Sequence, residues 1–260
     1  MNRRIALQIA AAVLAMAGFA VQARVVEKNV DYQYNGMTMK GYLAYDDAKS
    51  GPRPGVLVVH EWWGLNDYIR QRTRQLAQMG YIAFAPDMYG DGKTTRDPNE
   101  AGALSGAVNG ELAPRAKAGL DILRKQPNLD AQHVGAMGFC FGGSTVLALA
   151  YSGEPLGGVV TFHGGLFVPD EQQRSQIRTP ILLLHGEEDG FVKPETISEL
   201  KKVLDQNKVD WYMVTYAHAV HAFTNPDADS FKIPGIGYNE KAAKRSWEEM
   251  QRFFADTVGK

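Results

Sequence analysis

The chain has 260 residues, a formal net charge of −1, 45% hydrophobic residues and 22% charged residues. That length suits one large α/β domain or two small ones, and the apolar fraction is enough for a sizeable core. The charges are interspersed rather than blocked, which excludes a basic face for nucleic acid.

Residues 1–23 read as an export signal. Arg3 and Arg4 precede an apolar run from Ile5 to Val21, broken only by Gln8 and Gly18, and Val21-Gln22-Ala23 has the spacing of a cleavage site. The run is shorter than the ~20 residues a spanning helix needs. Cleavage after Ala23 is therefore expected in preference to an uncleaved anchor, with a periplasmic or secreted product. Cys140 is the single cysteine, so no internal disulfide can form. A lone thiol in an exported protein is either a buried, inert residue or a catalytic one.

Residues 24–260 carry no repeat or polar linker and read as one domain. Arg24–Tyr34 and Met37–Tyr45 are rich in Val and Tyr, and Asn35-Gly36 between them signals a hairpin. Pro54–His60 is a short apolar run of the kind found in a fully buried strand. Asn66–Met79 predicts a helix, closed by Gly80, and Tyr81–Pro86 a second buried strand. Tyr89–Glu111, with its glycines, Asp97-Pro98 and few apolar residues, reads as a surface excursion near the site and a candidate lid.

The alternation then continues. Glu111–Lys125 predicts a helix whose true start lies near Pro114. His133–Gly138 is a strand and Gly142–Tyr151 a helix. Gly158–Phe162 and Pro180–His185 are strands, Pro194–Asn207 a helix, Asp210–Tyr216 a strand, and Tyr238–Val258 a long final helix. Strands alternating with helices predict an α/β fold with a mostly parallel, doubly wound sheet, and the N-terminal antiparallel hairpin adds to one edge.

Gly138-Phe139-Cys140-Phe141-Gly142 lies between an apolar strand and an Ala/Leu-rich helix. It has the form of a nucleophile elbow with Cys in place of Ser. The nucleophile sits on a strained strand-to-helix turn, and side chains two before or two after it would make strand and helix collide. The turn lifts the sulfur into the cleft at a helix N-terminus, whose dipole favours negative charge, and aims the Phe141 N–H at a developing oxyanion. An acid and then a base must follow along the chain. After Pro180–His185, Glu187, Glu188 and Asp189 compete, and Asp189 is favoured over Glu188 because it lies deeper in the loop. After Asp210–Tyr216, His218 and His221 compete. His221 is favoured because it lies further from the strand, before a small residue and an aromatic. A zinc site on His218 and His221 is the weaker alternative, since no third ligand lies nearby. His60, His133, His163 and His185 lie in or at the ends of strands and read as supporting residues.

These strings together resemble the dienelactone hydrolase family of α/β-hydrolases, from about Tyr42 to Phe254. They are His60-Glu61-Trp62-Trp63-Gly64, Ala85-Pro86-Asp87-Met88-Tyr89, the elbow, His185-Gly186-x-x-Asp189 and His218-x-x-His221-x-Phe223. The resemblance implies the α/β-hydrolase fold and a triad of Cys140, Asp189 and His221. It also implies that Glu61 contacts the thiol and helps control its ionisation, and that the Trp62 N–H is a second oxyanion donor. Enzymes of the family that act on dienelactone hold its carboxylate with arginines after the Pro-Asp-x-Tyr segment and just beyond the histidine. Here Gly90-Asp91-Gly92 and Asn225 occupy those places, with Lys93 and Arg96 as the nearest substitutes.

The expected activity is hydrolysis of a small ester, lactone or thioester through a thioester acyl-enzyme. Trp62, Trp63, Phe139 and Phe141 point to an aromatic-walled cleft. A monomer is expected, with a small-molecule substrate, no cofactor, no metal, no nucleic acid and no stable membrane span. A non-catalytic binding protein with a relic site is the alternative.

Overall fold

A computed structural model describes residues 24–259; the export-signal reading of residues 1–23 lies outside the described residues. Strands β1 (Val25–Tyr34) and β2 (Met37–Asp46) form the expected antiparallel hairpin. Asn35 and Gly36 both take positive φ, 48° and 78°, the turn geometry that suits the right-handed twist of the strands it joins. Six further strands follow: β3 (Arg53–Val59), β4 (Ile82–Ala85), β5 (Leu129–Phe139), β6 (Gly158–Phe162), β7 (Ile181–Gly186) and β8 (Trp211–Tyr216). They form one sheet of eight strands in the order β1-β2-β4-β3-β5-β6-β7-β8, parallel from β4 to β8.

Helices cover both faces, and single strands feed both cores by their pleat. Leu57 and Val59 of β3 pack with α3 (Leu112–Arg124), α4 (Phe141–Tyr151) and α6 (Pro194–Gln206). Val56 and Val58 pack on the other face with α1 (Asp67–Met79) and α7 (Glu240–Thr257). Four consecutive apolar residues in β3 are thus a strand buried on both sides. Among the described residues no helix is long and apolar enough to cross a membrane.

Two expectations need correction. β5 begins at Leu129 rather than His133, because Arg53 of β3 already pairs with Leu129. The segment after Tyr89 is not an irregular excursion: Pro98–Ala107 forms helix α2. The Asp97 carboxylate accepts from the Asn99 N–H at 2.8 Å, and Pro98 occupies the first turn. The Asp-Pro pair is therefore an N-cap followed by a pre-set first residue, not a breaker. Only Ala101 of α2 is buried, which is why its apolar pattern is faint. A four-residue helix, α5 (Glu171–Arg174), started by an Asp170 capping box, lay below the level of the sequence pattern.

Chain order reverses at β3, which has β4 on one side and β5 on the other. A crevice opens at such a point, beyond the carboxyl ends of the strands. Val59 of β3 stands beside Gly138 of β5, so Glu61 and Trp62 leave the sheet next to Cys140.

Candidate active site

Cys140 has φ 52° and ψ −115°, a conformation that costs of order 1–3 kcal/mol for a residue with a side chain. The surrounding packing shows how it is held and why its neighbours are glycines. A Cβ on Gly138 would lie 2.0 Å from the Gly142 carbonyl oxygen, and one on Gly142 would lie 2.2 Å from that of Val59. The Cys140 N–H donates to Phe162 O at 3.0 Å, and its carbonyl accepts from the Gly143 and Ser144 N–H groups at 2.9 and 3.2 Å. The thiol residue is thereby fixed as the N-cap of α4, and Phe141, the first helical residue, has no preceding turn to receive its N–H.

Beyond β7, the buried Asp189 carboxylate accepts from His221 Nδ1 at 2.8 Å and from the Phe191 N–H at 3.0 Å. The loop after β8 holds His221 in turn. Its N–H donates to Gly235 O, and its carbonyl accepts from the Gly237 N–H, both at 3.1 Å. His221 is almost fully buried, and burial opposes its charge. The charge of Cys140 and hydrogen bonds to Asp189 and Cys140 override this and push the imidazole up to about 10. Cys140 and His221 thus face one cavity, with Asp189 holding the imidazole from its far side.

The less favoured candidates, Glu188 and His218, form a pair of their own. His218 faces solvent, its side chain 89% exposed, and meets Glu188 at 3.1 Å. The two histidines diverge, and among the described residues no cluster of His, Cys, Asp or Glu is arranged to hold a metal.

Glu61 is fully enclosed, 1% exposed. Burial raises its carboxyl to about 7, against an Asn225 hydrogen bond and the charges of His221 and Arg72, which favour ionisation. Asn225 Nδ2 donates to Glu61 Oε2 at 2.6 Å. Trp62 follows, its carbonyl accepting from the Tyr89 hydroxyl at 2.9 Å.

Trp62, Cys140, Phe141 and His221 open onto a cavity of about 270 Å³. Its other walls were not foreseen from the sequence. Phe191 comes from the Asp189 loop, Ile233 and Ile236 from the segment after His221, Ser144 from α4 and Ser105 from α2. Both serine hydroxyls donate to backbone carbonyls, Ser144 to Gly165 and Ser105 to Ala101. Among the described residues no Arg, Lys, Asp or Glu lines this cavity. Trp63 and Phe139 do not line it either. Trp63 stacks on Phe231 at 4.0 Å and Phe139 on Phe162 at 4.7 Å. Arg96 lies over the Phe231 ring and lines a separate cavity of about 380 Å³ with Asn225 and Asp227. His163, which the sequence marks only as a strand-end histidine, lies 5.4 Å from His221 and bonds Thr224 Oγ1 at 2.7 Å. Its positive φ of 40° leaves no mark in residue type.

Residues 39–258 match the model of the dienelactone hydrolase family. Protein usf of Aquifex pyrophilus is 30% identical over 237 residues, spanning 87% of this chain and 97% of that protein. A solved structure of a dienelactone hydrolase-like promiscuous phosphotriesterase from metagenomic libraries is 39% identical. It superposes with a TM-score of 0.88, covering 90% of this chain and 99% of the other. A second structure, m3DLH, is 37% identical with a TM-score of 0.87, at the same coverage.

Proposed function

This chain belongs to the dienelactone hydrolase family, a hydrolase acting on ester or lactone bonds, and from that premise we propose that it works through Cys140 as a nucleophile on neutral, small apolar substrates. The observation that carries the reading is a strained Cys140 sharing one cavity with His221, which the buried Asp189 holds at 2.8 Å. Strain of this kind, next to a histidine with a dedicated carboxylate, is hard to account for in a merely structural cysteine.

The steps follow from the geometry. The Cys140 sulfur attacks the carbonyl carbon, and the C=O electron pair moves to oxygen. The Phe141 and Trp62 N–H groups receive that oxyanion; such a donor is commonly worth about 3–4 kcal/mol. The oxyanion collapses, the C–O bond breaks, and the leaving oxygen takes a proton from His221 Nε2. A thioester remains. Water gives a proton to His221 Nε2, attacks the thioester, and releases the carboxylic acid and the Cys140 thiolate. Asp189 holds the imidazole by Nδ1 throughout. Glu61, close by and poised near neutrality, tunes the ionisation of the site.

The substrate class follows from the cavity lining. A carboxylate placed there would lose water and meet only the His221 imidazolium, already paired with Cys140 and Asp189, which costs several kcal/mol. Neutral esters, lactones and thioesters fit. The phosphotriesterase named above suggests neutral phosphotriesters as a further class, since sulfur attack at phosphorus also needs an apolar cleft and an oxyanion site. We also propose export: the product of cleavage after Ala23 starts at Arg24, as N-terminal sequencing of a periplasmic fraction would report.

The test is Cys140→Ala assayed with a p-nitrophenyl ester. Turnover is expected to fall to background, and native enzyme quenched during turnover should gain the acyl mass on the peptide holding Cys140. Full activity in the variant would end the reading.

A further inference from the structure

His60 is completely buried at the end of β3. The Met88 N–H donates to its Nε2 at 3.2 Å, so Nε2 holds the lone pair and the ring proton sits on Nδ1. Nδ1 lies 2.5 Å from the carbonyl oxygen of Glu61 and donates to it. Burial keeps the ring in its neutral form by pushing its pKa down, against the bond to Glu61 and the charge of Asp87.

The carbonyl that His60 grips belongs to the peptide that carries the Trp62 N–H. In a planar trans peptide the C=O and N–H point in opposite directions, and no peptide bond among the described residues is cis. Gripping the oxygen therefore aims the N–H. The Gly64 N–H shares that oxygen at 3.2 Å. The His60 ring also stacks on Phe141, centroids 5.9 Å apart and planes 22° apart, and Phe141 supplies the N–H at the start of α4. One side chain thus holds the peptide of one proposed oxyanion donor and packs on the ring of the residue that supplies the other.

The segment that presents Met88 is itself built for rigidity. The Asp87 carboxylate accepts from the Tyr89 and Gly90 N–H groups at 2.9 Å, from Gly92 at 2.8 Å and from Lys40 at 3.0 Å. The Tyr89 hydroxyl then reaches Trp62 O. The His60-Glu61-Trp62 and Pro86-Asp87-Met88-Tyr89 strings are, in three dimensions, one brace.

We infer that His60 is the positioning residue of the oxyanion site, an Nδ1–H imidazole that fixes the Glu61–Trp62 peptide and backs Phe141. The inference rests on the acyl-transfer reading above. Its test compares two reactions of Cys140 in native enzyme, His60→Leu and His60→Asn. Acylation by p-nitrophenyl acetate, read as the p-nitrophenolate burst, builds an oxyanion; alkylation by iodoacetamide does not. In His60→Leu, acylation is expected to slow by about 10- to 100-fold, less than the loss of a whole donor, with alkylation within about twofold of native. His60→Asn, whose Nδ2 can replace Nδ1 as donor to Glu61 O, should recover most of the acylation rate. Equal slowing of both reactions, no slowing of acylation, or no recovery in His60→Asn would overturn the inference. Should His60→Leu not fold, nitrogen NMR of native enzyme at pH 7 decides: an Nδ1–H tautomer supports the inference and an Nε2–H tautomer overturns it. A native enzyme that releases no p-nitrophenolate and gains no acyl mass on Cys140 strikes the acyl-transfer reading instead, and leaves the tautomer to settle what His60 grips.

Discussion

Asn225 Nδ2 donates to Glu61 Oε2 at 2.6 Å across 164 positions of sequence, and both side chains are buried. The place just beyond the histidine, where the family's dienelactone enzymes hold a substrate carboxylate with arginine, is used here to steady an internal carboxylate. A neutral amide favours the ionised form of Glu61 without neutralising it. Asn225→Leu removes that donor, so the Glu61 carboxyl should titrate above the present value of about 7. Infrared titration of the protonated carboxyl band, with Glu61→Gln identifying the band, would measure it. A downward movement would mean that Asn225 does not favour the charged form.

Glu61 also leaves a signature in stability. Folded Glu61 keeps its proton to about pH 7, whereas the ordinary value is 4.5. Between those values the native state binds more protons than the unfolded one, so this group lowers stability as pH rises. Ionising a carboxyl moved from 4.5 to about 7 costs roughly 3 kcal/mol, at about 1.36 kcal/mol per pH unit. Glu61→Gln should therefore gain stability relative to native enzyme between pH 4 and 8, by up to that amount. Denaturant unfolding at several pH values checks the sign. A constant difference across the range would contradict the raised carboxyl.

Cys140→Ala should move His221. Burial opposes the imidazolium, and the charge of Cys140 is the largest effect raising it. Without the thiol, the Asp189 carboxylate is the main group left to offset burial, so His221 should titrate well below the native value of about 10. Proton NMR of the His221 ring, followed from pH 5 to 10 in both forms, reads this directly. An unchanged midpoint would mean that thiol and imidazole are not coupled.

The cavity predicts charge selectivity. Native enzyme should turn over a neutral p-nitrophenyl ester with kcat/KM at least about tenfold above that of a size-matched ester bearing a free carboxylate, since the His221 imidazolium in the cavity wall is already paired with Cys140 and Asp189. Ile233 is half-buried in the cavity wall. An arginine there, Ile233→Arg, can keep its head near solvent and should narrow the ratio, mainly through KM for the anion. A native preference for the anion would mean that the cleft offers it a cation not already paired with Cys140 and Asp189.

Much of the fold was legible because it rests on short-range physics. Val56 to Val59 announce a strand buried on both faces, and Asn35-Gly36 a hairpin turn. Gly138 and Gly142 announce the elbow because a Cβ on either would lie only 2.0 or 2.2 Å from a backbone oxygen. Helix α2 was missed because Ala101 alone is buried, so the amphipathic pattern that identifies a helix barely exists.

What the sequence by itself determined was the order along the chain of the proposed nucleophile, acid and base, and the residue types that each local turn requires. It ranked Asp189 above Glu188 and His221 above His218 by position in a loop. The folded chain sorts them by burial: Asp189 meets His221 inside, and Glu188 meets His218 in solvent. Only the tertiary structure decided which rings line the cleft, that Asn225 serves Glu61, and that His60 holds the peptide of Trp62. Those relations join segments far apart in sequence through single hydrogen bonds and ring contacts, and neither composition nor periodicity along one segment encodes a partner on another.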